Sequence, residues 1–183
     1  MKKLKRTFYN READIVAKDL LGKLLVRRVA GKTLVGRIVE TEAYLGEHDL
    51  ACHTAKGMTE RNRVMFGPAG HTYVYMIYGM YYCTNIVTES VGRGSAVLLR
   101  ALEPIKNVKD KTSGPGLLSK AMKIDRKLNG CDLLENKMFV TYPPHAEKFI
   151  IISRPRIGVD YAGRWAKRCL RFYIKNNPCV SRP

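Results

Sequence analysis

Short stretches of alternating apolar and polar residues predict a chain built mainly from β-strands. Residues 23–29 and 33–44 have this pattern on either side of Ala30-Gly31-Lys32, which is typical of a hairpin turn. Residues 72–85, TYVYMIYGMYYCTN, predict a second hairpin. Further strands are expected over residues 95–102, 138–142 and 148–153.

Two helices are expected beside these strands. Asn10 has the character of an N-cap, acidic residues follow it in the first turn, and Gly22 is the expected stop signal. A shorter helix is expected over residues 117–122. The chain has 183 residues, of which 45% are hydrophobic, so we predict one globular domain of mixed α+β class spanning residues 1–183.

Two carboxylates lie on one face of the second predicted strand. Period-two alternation in IVETEAY places Glu40, Glu42 and Tyr44 on the same side. Glu42 is either a solvated strand acid or a group that activates water, and the spacing alone leaves both open. Arg100 is the lone charge in the apolar run SAVLLRAL, so we expect it to be interior and paired with Glu40 or Glu42. The alternative is an edge-strand arginine that faces solvent.

The tyrosine-rich hairpin and the loop before it carry side chains that suit nucleic acid. Residues 45–70 are polar and lack periodicity, and so long a loop in a compact domain is usually functional. It contains Arg61 and Arg63, whose side chains are donors of the kind that bind phosphate. Five of the ten tyrosines lie in the hairpin, and Tyr78 and Met80 at its tip are large groups for which packing offers no explanation.

The charge balance indicates a polyanionic partner. The chain has 33 lysines and arginines against 16 acidic residues, a net charge of +17, and nucleic acid is the commonest partner of so basic a domain. A basic surface that serves only solubility is the alternative. No apolar run is long enough for a transmembrane helix, and no signal peptide is recognised, so we expect a cytoplasmic protein.

The five cysteines indicate neither a disulfide framework nor a metal site. Their number is odd and no pair has close metal-ligand spacing, so free thiols in a reducing cytosol fit best. Cys52 lies next to His53, but adjacent side chains rarely converge on one ion without further ligands. We therefore expect no metal and no cofactor. The position of His53 in a polar loop, taken alone, favours plain solvent exposure over a functional role.

Several longer motifs span most of the chain. They are GRIVETEAYLG (36–46), the following His53, RNRVMFGPAG (61–70), YVYMIYGMYYCTN (73–85), AVLLRALEP (96–104), SGPG (113–116) and GRWAKRCLRFY (163–173). In order and spacing this set resembles the alkyladenine (3-methyladenine) DNA glycosylase family, in its bacterial form. Each motif alone is moderately specific, and together they are strongly so. One departure is Ala69, which stands where many bacterial relatives have a second proline.

The resemblance implies a fold and an activity. The fold is a curved antiparallel sheet or open barrel, similar to the C-terminal domain of formyltransferases, with flanking helices and a protruding β-hairpin. The activity is that of a monofunctional glycosylase in base excision repair, which flips a damaged purine out of double-stranded DNA and hydrolyses its glycosidic bond. The implied bases are 3-methyladenine, 7-methylguanine, hypoxanthine and ethenoadenine. A monomer that works on the nucleoid without a cofactor is also implied.

By motif position the resemblance assigns roles to individual residues. Glu42 is the general base that activates water, and Arg100 helps to hold that water. The base-binding pocket is formed by Tyr44, His53, Tyr75, Asn85 and Leu98, where Asn85 opposes the exocyclic amine of normal guanine. The residues that intercalate into DNA are Tyr78 and Met80, and those that contact its backbone are Arg61, Arg63 and Met65.

The residue types suit this chemistry on physical grounds. Departure of the base builds positive charge on the sugar, which a nearby carboxylate stabilises while it polarises water. Tyr44 and Tyr75 offer electron-rich rings to a cationic alkylpurine. Glu40 is expected to disfavour ionisation of Glu42 by like-charge repulsion, unless a bulge turns it away. The sequence identifies no proton donor for a neutral base.

Two other functions are compatible with the same residues. A metal-dependent nuclease would use Glu40, Glu42, Asp49 and His53. A noncatalytic nucleic-acid-binding protein would use its tyrosines to stack on unpaired bases. Activity in the presence of EDTA, and release of free base from alkylated duplex, distinguish a glycosylase from both.

Overall fold

The fold is organised around one open, curled antiparallel sheet. The computed structural model describes residues 2–145 and 147–183. The strands are β1 (Leu24–Val29), β2 (Lys32–Tyr44), β3 (Thr72–Ile77), β4 (Tyr81–Val87), β5 (Ala96–Lys106), β6 (Met138–Thr141), β7 (Ile151–Arg154) and β8 (Arg171–Ile174). Six of them follow the order β3-β4-β5-β2-β1-β6, and β8 pairs with both β2 and β7. The predicted α+β class and curved sheet are confirmed.

The long central strand β2 divides its pairing between two neighbours. Residues 32–37 pair with β1 and residues 40–42 pair with β8, while β5 runs along the other edge. Register shifts between Ile38 and Thr41 mark β-bulges, which bend a strand and increase its twist. The sheet therefore curls in the part of β2 that directly precedes Glu42.

Short helices flank the sheet. They are α1 (Arg6–Tyr9), α2 (Ala13–Leu20) and α3 (Pro115–Ala121), with 3-10 helices over Arg63–Phe66, Arg126–Leu128 and Asp160–Lys167. The buried side chains Val16 and Leu20 of α2 pack into the main apolar core. Thr41 Oγ1 donates to the carbonyl of Ala17 at 2.9 Å, so α2 covers the face of β2 opposite Glu40 and Glu42. Across residues 2–145 and 147–183, no helix combines the length and apolar character needed to cross a bilayer.

The first predicted helix begins later than expected. Asn10 is not its N-cap, because its backbone N–H donates to Arg6 O and closes α1, and Glu12 is the N-cap of α2. Sequence reasoning missed α1 because a single turn leaves almost no periodicity to detect. Strand β5 is longer than the predicted strand over 95–102, since it follows β2 as far as Val35.

Both predicted hairpins are present. Ala30 and Gly31 have φ angles of 48° and 71°, as in a type I′ turn, and connect β1 to β2. Strands β3 and β4 form the second hairpin. Its tip exposes Tyr78 and Met80, by 88% and 69% respectively, so the hairpin protrudes as expected.

Candidate active site

Glu42 lies in the interior of the fold although its sequence neighbourhood is polar. Its side chain is 0% exposed, and its backbone is central in the sheet, because β2 is paired with β5 on one side and β8 on the other at this position. The interpretation as a solvated strand acid is therefore wrong. A carboxylate buried in this way requires hydrogen-bond donors or a positive charge beside it.

Three groups hold the Glu42 carboxylate. The Tyr44 hydroxyl donates to Oε2 at 2.9 Å, and the backbone N–H of Ile157 donates to Oε1 at 2.9 Å. Arg100 Nη1 lies 3.3 Å from Oε1. Arg100 is itself buried on β5, so the prediction of an interior arginine with an acidic partner is confirmed, and the edge-strand alternative is wrong.

Burial and hydrogen bonding act on Glu42 in opposite directions. Burial raises its pKa, whereas Arg100, the Ile157 N–H and the Tyr44 hydroxyl lower it, and the net shift is upward. Glu40 adds a smaller rise, in the direction expected from like-charge repulsion. Burial also lowers the pKa of Arg100, but Glu42 and Glu40 outweigh it, and the net shift is again upward. The carboxylate beside Arg100 is thus more basic than a carboxylate in water.

Glu40 is held by a different set of donors. Arg100 Nε lies 3.1 Å from its carboxylate, Arg171 Nη1 lies 3.0 Å away, and the backbone N–H of Ser181 donates at 2.7 Å. Its side chain is also 0% exposed. The bulges in β2 do not turn Glu40 away, and it shares Arg100 with Glu42.

A cavity of about 650 Å³ opens beside these groups, and the β3–β4 hairpin lines it from Tyr73 through the tip residue Tyr78 to Asn85. Tyr44, Arg100 and Ile157, which hold the Glu42 carboxylate, all line it. Glu42 lies directly behind them. The predicted site residues that line the cavity are Tyr44, His53, Arg61, Met65, Tyr75, Tyr78, Asn85, Leu98 and Arg100.

Three rings form one wall of the cavity. The rings of His53 and Tyr75 lie 4.5 Å apart, and Tyr75 stacks on Tyr73 at 5.2 Å. His53 Nδ1 and the Tyr73 hydroxyl are hydrogen-bonded at 2.9 Å. Partial burial and the nearby charge of Arg61 lower the pKa of His53, and burial raises the pKa of Tyr73 to about 12, so both rings are neutral near pH 7. Sequence reasoning did not single out Tyr73, although alternation puts it on the face of Tyr75.

Asn85 and Leu98 form a second part of the wall. They are partners in the β4–β5 register, and both are buried. The Asn85 side-chain amide donates to the carbonyl of Tyr73 at 3.1 Å, which fixes its orientation. A ligand in the cavity therefore meets an amide that is already bonded to the protein.

The residues expected to face DNA differ in their placement. The Arg61 guanidinium lies 5.4 Å from the Tyr75 ring at the cavity edge. Arg63 is exposed, with Nε 3.4 Å from Glu60. We expected Met65 among the DNA-backbone contacts, but the structure buries it in the cavity wall, where its apolar side chain belongs to the cluster that contains Tyr73. Its backbone N–H is already bonded to Asn62 O.

Comparison with known proteins identifies the family. A family model described as methylpurine-DNA glycosylase matches residues 7–178. The chain belongs to this family. Three relatives carry the provisional name 3-methyladenine DNA glycosylase: one from Legionella pneumophila (strain Corby), 62% identical over 182 residues and 100% of both chains; one from Methanocella arvoryzae, 52% identical over 98% of this chain and 96% of its own; and one from Myxococcus xanthus, 49% identical over 98% and 93%. The resemblance read from the motifs is confirmed.

Two features of this glycosylase site have no signal in the sequence. The Ile157 N–H is a backbone donor, and no side-chain pattern predicts it. Arg156 is buried beside it, bonds to Asp49 at 2.5 and 2.8 Å, and lies 4.8 Å from the centre of the Tyr44 ring. Arg156 does not line the cavity. It supports Tyr44 from behind and ties the loop after β2 to the segment that carries Ile157.

The four residues expected for a nuclease, Glu40, Glu42, Asp49 and His53, are not brought together at one point. Asp49 is bonded to Arg156, and Glu40 and Glu42 share Arg100. His53 lies in the ring wall. Within the part of the chain that the structure describes, no three His, Cys, Asp or Glu side chains converge as a potential metal site.

Proposed function

We propose that this chain is a monofunctional methylpurine-DNA glycosylase in which Glu42 activates the water that releases a flipped purine. The observation that carries the proposal is the buried Glu42 carboxylate, held by three groups that all line one aromatic cavity. We expect a carboxylate in this position to lie near the sugar of a nucleotide whose base fills the cavity. Membership of the family supports the same activity.

The proposed reaction breaks one bond and forms one bond. The bond between C1′ and the base nitrogen breaks, and its electron pair leaves with the base. The oxygen of water bonds to C1′, and Glu42 accepts the proton that this water loses. The products are a free base and an abasic site. Burial gives Glu42 a raised pKa, which strengthens it as a base, while Arg100 and Tyr44 act in the opposite direction and favour its ionised form.

The cavity wall supports recognition of damaged purines by stacking and shape. Tyr44, His53 and Tyr75 offer neutral rings, and the two tyrosines attract a cationic base such as 3-methyladenine or 7-methylguanine. Stacking on the same rings accommodates neutral hypoxanthine and ethenoadenine. Asn85, fixed by its bond to Tyr73, is proposed to exclude the exocyclic amine of normal guanine. Leu98 completes the apolar surface.

The exposed hairpin tip supports binding to double-stranded DNA. We propose that Tyr78 and Met80 fill the space that the flipped nucleotide leaves, because their exposure has no packing role in the free protein. Arg61 and Arg63 would contact phosphates, and the net charge of +17 attracts the duplex as a whole. Monomeric action on the nucleoid in the cytoplasm, without a cofactor, stays a prediction.

The decisive experiment is chromatography of bases released from methylated and from inosine-containing duplex. The wild-type protein should release free base in EDTA without cutting the strand. Glu42→Gln should bind the damaged duplex and release none, whereas Glu12→Gln, at the exposed start of α2, should act like wild type. Strand cleavage that requires a divalent ion would indicate a nuclease, and binding without release would indicate a noncatalytic protein.

A further inference from the structure

Glu40 lies next to the proposed base without lining the cavity. We infer that Glu40 is a positioning residue, which holds in place both the side chain and the backbone segment that bind Glu42. The inference rests on the proposed function, because it concerns how the reactive carboxylate of that function is kept in place and ionised. Glu40 acts on Glu42 through two arginines. Arg100 contacts Glu42 directly, and Arg171 holds the segment whose Ile157 N–H binds Glu42.

The first route runs through Arg100. This arginine uses Nε to bind Glu40 at 3.1 Å and Nη1 to approach Glu42 at 3.3 Å. A guanidinium that is fixed at Nε cannot rotate to bind Glu42 through both of its own terminal nitrogens. Glu40 therefore keeps Arg100 at one edge of the Glu42 carboxylate and prevents a closed, bidentate pair that would make Glu42 a weaker base.

The second route runs through Arg171. Its Nη1 binds Glu40 at 3.0 Å, and its Nε donates to the carbonyl of Pro155 at 3.0 Å. Pro155 lies two residues before Ile157, whose N–H donates to Glu42 Oε1 at 2.9 Å. Glu40 thus anchors, through one arginine, the segment that supplies a backbone donor to the proposed base.

The segment around Ser181 completes the site of Glu40. The Ser181 N–H donates to the second carboxylate oxygen of Glu40 at 2.7 Å. Arg100 Nη2 lies 3.4 Å from Ser181 Oγ, and Arg171 Nη1 also donates to the carbonyl of Arg182. Ser181 and Arg182, which are remote from β2 in sequence, therefore help to hold Arg100 and Arg171. They do so without lining the cavity.

The charges in this cluster balance, and that balance sets the expected result. Two arginines, Arg100 and Arg171, face two carboxylates. The other charged or titratable groups that act on Glu42 or respond to it are Tyr44 on β2, Tyr75 on β3, Cys83 on β4 and Arg156 beside Ile157. Neutralising Glu40 leaves two arginines to one carboxylate and removes a like charge. The loss of this one negative charge favours the ionised form of Glu42 and makes it a weaker base.

The test is Glu40→Gln in single-turnover release of 7-methylguanine from duplex DNA, across pH. This base is already cationic, so the acid limb of the profile reports on the enzyme and not on protonation of the leaving base. We expect the plateau rate to fall on the order of tenfold, because Glu42 becomes a weaker base and Arg100 and the Ile157 segment are less firmly held, and the acid limb to move to lower pH by about one unit. Affinity for the damaged duplex should stay within twofold of wild type.

A second pair of variants removes the dependence on Glu40 itself. Ser181→Pro deletes the N–H that binds Glu40 and should slow release more than Ser181→Ala, which keeps that N–H and loses only the 3.4 Å contact between Oγ and Arg100 Nη2. This pair carries the test if Glu40→Gln does not fold, as judged by circular dichroism and thermal unfolding. An acid limb that stays in place in Glu40→Gln, or equal rates for the two Ser181 variants, would overturn the positioning role. A wild-type protein that releases no base would instead overturn the proposed function.

Discussion

Replacing Tyr44 with Phe removes one hydrogen bond from Glu42 and leaves the ring in the cavity wall. The lost hydroxyl donates to Oε2 at 2.9 Å, and the carboxylate is shielded from water. Burial raises the pKa of Tyr44 well above its usual value, so the hydroxyl remains protonated and able to donate. A hydrogen bond to a charged group contributes about 1.5–3 kcal/mol, and one pKa unit corresponds to about 1.4 kcal/mol. The pKa of Glu42 should therefore rise by about one to two units.

The assay is again single-turnover release of 7-methylguanine across pH. Glu42 accepts a proton only when ionised, so the acid limb should move to higher pH by the same one to two units, roughly. At pH values below the limb, release by Tyr44→Phe should be slower than release by wild type on the order of 10- to 100-fold. Above the limb, the rates of the two proteins should converge. Tyr75→Phe is the matched control, because that hydroxyl interacts with Cys83 instead and its loss should leave the limb in place. A Tyr44→Phe limb that coincides with wild type, or lies at lower pH, would refute the reasoning.

Three further results are expected. Tyr78→Ser should weaken binding to a lesion-containing duplex, because the exposed ring no longer fills the vacated space; unchanged affinity in fluorescence anisotropy would contradict intercalation. Affinity for undamaged duplex should fall steeply with salt as phosphate contacts release counterions, and a flat dependence would argue against a DNA-facing basic surface. Arg156→Leu leaves the buried Asp49 carboxylate uncompensated and should cost about 3–5 kcal/mol of unfolding free energy. Urea denaturation measures this loss, Asp49→Asn in the same chain should recover part of it, and a loss near zero would contradict the assigned pair.

Local patterns were sufficient to predict both hairpins and most of the strands, but not β8. The two hairpins depend on features confined to a few residues, such as the Ala30-Gly31 turn and the alternation around Tyr75, and these were recognisable in the sequence. The curl of the sheet was known only from the family resemblance. It arises because β2 changes partner from β1 to β8 at its bulges, and a strand over residues 171–174 has no local feature that marks it as the neighbour of Glu42.

The candidate site divides in the same way. Arg100 was predictable as an interior charge because a lone arginine in an apolar strand requires an acid, and two acids lay on one nearby strand. The backbone donors of Ile157 and Ser181 were not predictable, because every residue except proline has a backbone N–H and the residue type therefore gives no information about it. Arg156 has no sequence feature that distinguishes it from the other arginines of this basic chain. Only its position between Asp49 and Tyr44 identifies it as a buried support.

Glu40 and Tyr44 influence the same carboxylate with opposite sign, which permits a stricter test than either variant alone. Removing the negative charge of Glu40 should lower the pKa of Glu42, and removing the Tyr44 hydroxyl should raise it. In the double variant Glu40→Gln, Tyr44→Phe the acid limb should therefore return close to its wild-type position. The plateau rate should stay below wild type, because Glu40 no longer holds Arg100 and the segment that carries Ile157.

The measurement is the same pH profile, compared across the four proteins as a double-mutant cycle. Lost packing cannot produce this pattern, because two structural defects would add in rate and leave no reason for the limb to return. A double variant whose limb follows Tyr44→Phe alone would mean that Glu40 does not act on Glu42 through charge. Arg100 and Arg171 would then only stabilise the fold. The different roles proposed for Glu40 and Glu42 would need another explanation.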